Sequence, residues 1–360
     1  MKIQNRQTLG TMMALVGGTC WGFSGCCGQF LFEQKEVQAP WLVTVRLFFA
    51  GLILIMIGFR LNGRQNLNIF KRKQDALHLL LFAVFGITFC QFTYFMAIQA
   101  SNAGTATVLQ YLSPVLILMV VCIRGKRLPK GLELGAIGLS LLGTFVIGTH
   151  GDIHSFHITG EALFWGLLAA VSAMIYTMIP GGLILRYDIY QVLGFGMLIG
   201  GVAMGIFVRP WTYHPVWDPG TAGALGGVIV VGTALAFGLY LQGVSMIGPL
   251  KGSIMGSVEP ISAVIISVFW LKTSFTPADF AGFALILGAV FVLTFAHRPA
   301  AGPGEAGRLR IALDDSRCSR MNSIPRLLVA CPAVRAAAVI HLWMKTERTE
   351  RNEEQKQTLG

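Results

Sequence analysis

Long apolar stretches alternate with short polar connections along most of the chain. A helix needs about 20 apolar residues to cross a hydrocarbon core roughly 30 Å thick. The first stretch leads directly into others of the same type, so we expect it to remain uncleaved. Ten stretches predict an all-α integral membrane protein with ten transmembrane helices: 9–32, 40–60, 76–98, 101–123, 131–150, 160–184, 189–209, 219–243, 247–271 and 278–297.

The second half of this pattern repeats the first. Residues 94–148 align without gaps with residues 240–294 at a constant offset of 146. Each half holds five apolar stretches, and an odd number leaves the second half inverted relative to the first. Two inverted five-helix repeats, 9–150 and 160–297, are typical of secondary transporters. Identical pairs at this offset are Tyr94 and Tyr240, Pro114 and Pro260, Leu139 and Leu285, Leu141 and Leu287, Phe145 and Phe291, and Val146 and Val292.

Charge is sparse and unevenly distributed. Only 12% of the residues are charged, against about 25% in a typical soluble domain. Twelve Lys and Arg residues lie in one set of short connections and three in the other, which predicts cytoplasmic termini in an inner membrane. The net charge of +11 therefore belongs to these connections and a basic tail, and we expect no nucleic-acid partner. The opposite set is Lys35, Arg209 and Lys272; the rich set is Lys2, Arg6, Arg60, Arg64, Lys71, Arg72, Lys73, Arg124, Lys126, Arg127, Lys130 and Arg186.

The chain changes character at residue 298. Residues 298–360 mix basic and acidic side chains after a linker rich in Pro and Gly, and arginines interrupt the one apolar segment, 324–344. Three interpretations stay open: a weak amphipathic segment on the membrane surface, a disordered tail, or an unselected sequence that arose by read-through or a frame shift. We assign it no function.

Glycines recur at four-residue spacing within the spans, as in Gly201 and Gly205. Such spacing lets helices approach closely in lipid. Packing inside one bundle is the favoured interpretation, and a homodimer contact is the alternative.

Motifs for cofactors and metals are weak. The sequence has no phosphate-binding glycine loop followed by Lys and Ser or Thr, so we predict no nucleotide cofactor. His150, His154 and His157 have a loose metal-like spacing without cysteines or a second cluster, and we predict no metal site there.

Three segments resemble the EamA-type transporters of the drug/metabolite superfamily. The first span has an alanine-leucine opening that ends in Trp21-Gly22, the fourth runs from Asn102 through small residues to Pro114, and the ninth ends a small-residue run in Glu259-Pro260. The resemblance covers about residues 10–297 and is strongest to the carboxylate/amino acid/amine group. It implies two tandem domains and export of small metabolites. The chain departs from the family at Lys126 and Lys272, near which a Gly-Glu pair is frequent.

Glu259 is the deepest ionisable residue of the predicted spans. It lies roughly 18 Å along the ninth stretch, near the midplane, beside Pro260, which removes a backbone donor and opens the helix locally. A charged carboxylate is costly at this depth, so Glu259 is expected to be protonated or paired. It is a candidate to carry a coupling proton or to bind an ammonium group; a structural glutamate is the alternative. Its repeat equivalent is Ser113, which makes the site chemically unequal.

Arg46 lies about 9 Å into the second stretch. A guanidinium group matches a carboxylate in shape and charge, so one hypothesis is contact with a substrate or a counter-carboxylate. The other is a structural arginine that binds helix-end carbonyls or extends outward to the interface.

Further polar and aromatic residues complete the candidate site. Lys251 could pair with a substrate carboxylate, although extension to the interface is favoured, and Trp21 could contact a cationic substrate, although core packing is favoured. Each of the others alone is more typical of an interhelical hydrogen bond. These possible cavity-lining residues are Gln91, Tyr94, Gln110, Tyr111 and Tyr240.

These patterns predict a secondary active transporter for small metabolites such as amino acids or amines, embedded in a lipid bilayer and not an enzyme. Protons are the candidate coupling ion. A membrane enzyme on lipid-linked substrates would need clustered catalytic groups, and a sensor or scaffold subunit would need a sizeable soluble domain. Neither feature is evident in this sequence.

Overall fold

Helices form the secondary structure of residues 2–149, 158–184 and 186–296, which a computed structural model describes. The histidines at 150–157 and the tail from 298 lie outside these ranges. Within them there is no strand. The α-helices are α1 (Lys2–Lys35), α2 (Ala39–Asn62), α3 (Lys73–Leu81), α4 (Phe89–Ala100), α5 (Ala103–Gln110), α6 (Ser113–Arg124), α7 (Gly131–Thr149), α8 (Gly160–Met178), α9 (Gly181–Ile184), α10 (Ile189–Val208), α11 (Pro219–Gly226), α12 (Ala236–Ile247), α13 (Pro249–Gly256), α14 (Val258–Phe269) and α15 (Pro277–Ala296).

The described helices are those of a membrane protein. Eight helical segments are long and apolar enough to cross a bilayer, and a ninth, Ile254–Phe269, is apolar but shorter. The ninth stretch of the sequence prediction is divided between α13 and α14, and the first is the long helix α1. The all-α membrane fold is confirmed, whereas the count of ten spans stays a prediction.

Irregular backbone recurs at equivalent positions of the two repeats. A π-helical segment, Phe82–Thr88, joins α3 to α4, and another, Gly227–Leu235, joins α11 to α12. At the offset of 146 these segments coincide to within one residue. Lys126 and Lys272, which are also equivalent, both have left-handed backbone, with φ of 47° and 58°. The repeat therefore extends from side-chain identity to backbone conformation.

The fifth helix of each repeat begins with the same cap. Glu133 in the first turn of α7 accepts the backbone N–H of Lys130 at 2.7 Å, and Asp279 in α15 accepts that of Thr276 at 2.8 Å. A carboxylate there satisfies a free donor and faces the positive end of the helix dipole. The guanidinium group of Arg127 also donates two hydrogen bonds to the Glu133 carboxylate, at 2.8 and 3.0 Å.

Contacts between α2 and α10 show how the repeats are related. A side chain added to Gly201 would lie 2.6 Å from the backbone nitrogen of Phe48, and one added to Gly194 would lie 3.0 Å from that of Ile55. The repeat offset converts the first pair into the second, and the two helices run antiparallel. A two-fold axis parallel to the helices would make equivalent helices parallel. The axis is therefore perpendicular to them, as an inverted repeat requires.

The two ends of the bundle differ. At the Lys35 end, which also carries Ser101 and Leu271, α5 packs against α14. A side chain at Gly104 there would lie 2.9 Å from Phe275 and 3.0 Å from Val264. At the opposite end, the Arg124 end, α6 packs on α7, α8 and α15, whereas α13 packs mainly on α1 and α12. Close packing of the fourth and ninth spans is therefore confined to the Lys35 end.

Gln29 joins the repeats at the Lys35 end. Its side chain is buried, and its oxygen accepts the backbone N–H of Ala103 at 2.9 Å and lies 3.4 Å from the Ser267 hydroxyl. Its nitrogen donates to Thr273 at 3.0 Å and to Glu33 at 2.8 Å. One amide therefore links α1 to the first residue of α5, to α14 and to the loop before α15. We call these residues the Gln29 network.

An ion pair between the repeats lies at each end of the bundle. Lys35, the last residue of α1, pairs with Asp218, which also caps α11 by accepting the backbone N–H of Thr221 at 2.7 Å. At the Arg124 end, Arg186 pairs with buried Asp75 at 2.8 Å. Each pair joins the end of the first helix of one repeat to the start of the third helix of the other.

We predict that Gln29→Leu weakens closure of the Lys35 end. The change leaves the N–H of Ala103 without its acceptor, a loss of about 1–3 kcal/mol, which corresponds to an opening about 5–150 times more frequent. In a variant that keeps fully buried Cys26 as its one thiol, maleimide should modify Cys26 faster by such a factor. Gln99→Leu is the control, because Gln99 accepts from Ala39 at the same end but within one repeat. Equal labelling rates in the two variants would contradict the closure role.

A second prediction concerns the ion pair of Lys35 and Asp218. Hydrogen bonds from Lys35 and Thr221 lower the pKa of Asp218 from 3.8 to about 2. A lowered pKa stabilises the fold above the ordinary value, and this contribution is lost as the pH falls from about 4 to about 2. Asp218→Asn keeps the helix cap but removes the charge. The melting temperature of this variant should be slightly lower than that of the wild type at pH 7, and the two values should converge near pH 2. A constant difference in melting temperature over this pH range would contradict a stabilising ion pair.

Candidate functional site

Two broken helices meet near the middle of the bundle. Tyr111 and Leu112 separate α5 from α6, and Ser257, at the position equivalent to Tyr111, separates α13 from α14. Each interruption begins three residues before a proline, Pro114 or Pro260. A proline has no N–H, and its ring displaces the carbonyl four residues earlier. The sequence therefore interrupts both helices at equivalent positions.

Tyr111 compensates for the break in the second repeat. The carbonyl four residues before Pro260 is that of Gly256, and the Tyr111 hydroxyl lies 3.0 Å from it. The same hydroxyl lies 3.1 Å from Oε2 of Glu259 in the first turn of α14. A single tyrosine of the first repeat thus contacts both the freed carbonyl and the carboxyl group of the second.

Glu259 is half-buried. Among the described residues its carboxyl group makes one hydrogen bond, with Tyr111, and no ion pair. Helix α1 crosses its turn closely, since a side chain at Gly22 would lie 2.7 Å from the Glu259 carbonyl. The deepest carboxyl group of the sequence prediction is therefore held by a neutral partner.

Arg46 lies inside the bundle. Only 5% of its surface is exposed, and its guanidinium carbon lies 5.1 Å from the ring centroid of Phe95. Nη1 donates to Oε1 of Gln91 at 3.2 Å, whereas buried Nε has no protein acceptor. These contacts contradict the alternative in which Arg46 extends outward or binds helix-end carbonyls. No ion pair joins Arg46 to Glu259.

Two of the predicted tyrosines are fully engaged in helix packing. Tyr94 is buried, with its hydroxyl 2.8 Å from that of Thr107, which donates to the carbonyl of Ala103. Tyr240, its repeat equivalent, is buried and donates to the carbonyl of Gly252 at 2.9 Å. Both tie the third helix of a repeat to the fourth. The hydrogen-bonding role that the sequence favoured fits both residues.

The other predicted residues differ in their burial and in their contacts. Gln110 is half-buried and donates to the sulfur of Cys90 at 3.7 Å, one residue from Gln91. Trp21 is half-buried, with ring centroids 4.8 Å from Tyr240 and 5.2 Å from Phe237. Lys251 is exposed and makes no ion pair with the described residues.

Gln29 is the residue that the sequence interpretation missed. It is the one amide in the first apolar stretch, 9–32, and that isolation was an available signal. Its partners lie far along the chain, at Ala103, Ser267 and Thr273, so no local pattern connects them.

The chain is similar to known transporters. A model described as the EamA-like transporter family matches residues 8–149 and 160–295. The uncharacterized inner membrane transporter YicL of Salmonella typhimurium is 39% identical over 289 residues, or 80% of this chain and 96% of YicL. The WAT1-related protein At3g02690, chloroplastic, of Arabidopsis thaliana is 25% identical over 287 residues, or 74% of this chain and 66% of that protein.

A solved crystal structure shares the fold. It is 20% identical in sequence, has a TM-score of 0.52, and covers 82% of this chain and 99% of its own. The family model covers most of the apolar helices, and this multi-pass membrane protein therefore belongs to the EamA-like transporter family.

Proposed function

We propose that the protein is a secondary active transporter of the inner membrane that exports small metabolites, such as amino acids or amines, by alternating access. Both termini lie in the cytoplasm, and the two five-helix repeats rock against each other. A proton gradient supplies the energy. The inner membrane location is supported by the charge distribution and by the name of the Salmonella relative.

The contact of Tyr111 with Gly256 and Glu259 carries this proposal. A tyrosine hydroxyl has one proton, and two acceptors lie 3.0 and 3.1 Å from its oxygen. An ionised Glu259 competes with the Gly256 carbonyl for that proton. A protonated Glu259 donates to the tyrosine oxygen and leaves the tyrosine proton to Gly256. Protonation of Glu259 therefore determines whether the carbonyl at the break is satisfied.

The unequal ends of the bundle support alternating access. The Gln29 network and the packing of α5 on α14 close the Lys35 end. An inverted repeat has a second arrangement, in which the equivalent contacts close the Arg124 end instead. In the proposed orientation the Lys35 end faces outward, so the described conformation opens toward the cytoplasm.

The rival functions find less support. An enzyme on lipid-linked substrates needs an acid, a base or a nucleophile in contact at one membrane interface. Here the interior ionisable groups, Arg46 and Glu259, are not paired with each other, and Glu259 lies near the middle of its span. A sensor or scaffold role does not explain why the carboxyl group of Glu259 lies at the helix break.

We predict that Glu259→Gln abolishes the pH dependence of transport. The amide keeps the shape of the carboxyl group and, like the protonated acid, donates to Tyr111, so the protein should fold normally. Proteoliposomes should lose accumulation driven by a pH gradient, whereas exchange of substrate for substrate survives. Glu161→Gln, an exposed position in the first turn of α8, is the control. Unchanged proton-driven flux in the Glu259 variant would make Glu259 a structural residue.

The orientation has its own prediction. In a variant without native cysteines, a cysteine at exposed Lys71 should react with a membrane-impermeant maleimide only after the membrane is opened. A cysteine at exposed Thr212, between α10 and α11, should react in intact cells. Labelling of the Lys71 position from outside, with none at Thr212, would reverse the topology without affecting the proposed transport.

A further inference from the structure

The guanidinium group of Arg46 is under-coordinated. It offers five N–H donors, but the described protein atoms supply one acceptor, Oε1 of Gln91, and none for Nε. Only 5% of the side chain is exposed. Placing a charge in the protein interior without paired acceptors costs several kcal/mol. A buried arginine of this kind needs an anionic partner.

Two other arginines of the described chain, unlike Arg46, have carboxylate partners. Arg127 has two hydrogen bonds to Glu133, at 2.8 and 3.0 Å. Arg186 pairs with Asp75 at 2.8 Å and donates to the carbonyl of Gly182. Both lie near the ends of the bundle and are more exposed. Arg46 is the most buried of the three and has no carboxylate partner.

Its surroundings hold Arg46 in place without neutralising it. The Phe95 ring lies 5.1 Å from the guanidinium carbon, within range of a cation–π contact, and Gln91 fixes one edge of the fork. Glu259 does not fill the remaining donors, because no hydrogen bond or ion pair joins it to Arg46. The free donors therefore remain for a ligand.

We infer that Arg46 determines the substrate class of the proposed transporter by binding the carboxylate of its substrate, with Gln91 as the positioning residue. A planar guanidinium group matches the two oxygens of a carboxylate. One buried positive charge balances a single negative charge and not the two of a phosphate ester. The inference rests on the proposed transport function and narrows it: amines that lack a carboxylate are not substrates.

The test begins with the wild-type protein. Proteoliposomes are incubated with a cell metabolite extract, and the compounds that accumulate above empty liposomes are identified. Each accumulated compound is then compared with its primary amide and with its decarboxylated analogue as competitors. We expect every accumulated compound to carry a carboxylate and each analogue to compete on the order of 10- to 100-fold more weakly, the value of charge-assisted hydrogen bonds. Accumulation of compounds without a carboxylate overturns the inference but leaves transport standing.

Variants assign the selectivity to Arg46. Arg46→Lys keeps the charge but loses the fork, so acids should still be preferred over amides, though less strongly. Arg46→Gln should abolish the preference, and Gln91→Leu should reduce it while Arg46 remains. Arg64→Gln, an exposed arginine in the connection between α2 and α3, is the control. If Arg46→Gln folds and still prefers acids over amides as strongly as the wild type, the inference is overturned. If Arg46→Gln does not fold, unchanged selectivity in both Arg46→Lys and Gln91→Leu overturns the inference instead.

Failure of the proposed function has a separate signature. If wild-type proteoliposomes accumulate nothing, transport fails. Binding is then measured as the shift in melting temperature of the purified full-length protein with leucine, leucinamide and isopentylamine, and with the corresponding sets built on alanine, phenylalanine and glutamate. Stabilisation by acids alone supports the Arg46 site without transport, and stabilisation by amines or by none of the compounds overturns it.

Discussion

A helix broken within lipid must find new partners for its backbone, and this constraint organises the centre of the molecule. Pro260 prevents the normal hydrogen bond to the carbonyl of Gly256, and Tyr111 from the other repeat lies 3.0 Å from that carbonyl. The same tyrosine hydroxyl is also hydrogen-bonded to the carboxyl group of Glu259. The chemistry of the candidate site is therefore a consequence of how the break is satisfied.

The two-fold relation holds for the backbone but not for the site. Three backbone features recur at equivalent positions: the π-helical segments, the left-handed backbone conformation at Lys126 and Lys272, and the carboxylate caps of α7 and α15. At the breaks, Tyr111 corresponds to Ser257, and Ser113 to Glu259. In the proposed alternating access, equivalent backbones let each end of the bundle close in turn, whereas the unequal side chains give the site one carboxyl group and one hydroxyl partner.

The sequence predicted most of the fold and part of the site. Apolar length, loop charge and the offset of 146 indicated the helices and the repeat, because these signals are local or periodic. Pro114 and Pro260 indicated the interruptions. The contact of Tyr111 with Glu259 was not predictable, since it depends on which faces of two distant helices meet. For the same reason, the sequence did not decide between an interior and an interfacial position for Arg46, and it did not indicate the partners of Gln29.

Helix α14 connects the candidate proton site to the closed end. Glu259 lies in its first turn beside the break, Val264 packs against Gly104, and Ser267 belongs to the Gln29 network. From Glu259 to Ser267 the helix rises about 12 Å, a little over two turns. Because the helix is short, we expect it to move as one rigid element, so that a change in how its first turn is held displaces its far end. Competition for the Tyr111 proton and packing at the Lys35 end thus act on the same helix, which gives coupling between them a continuous physical route.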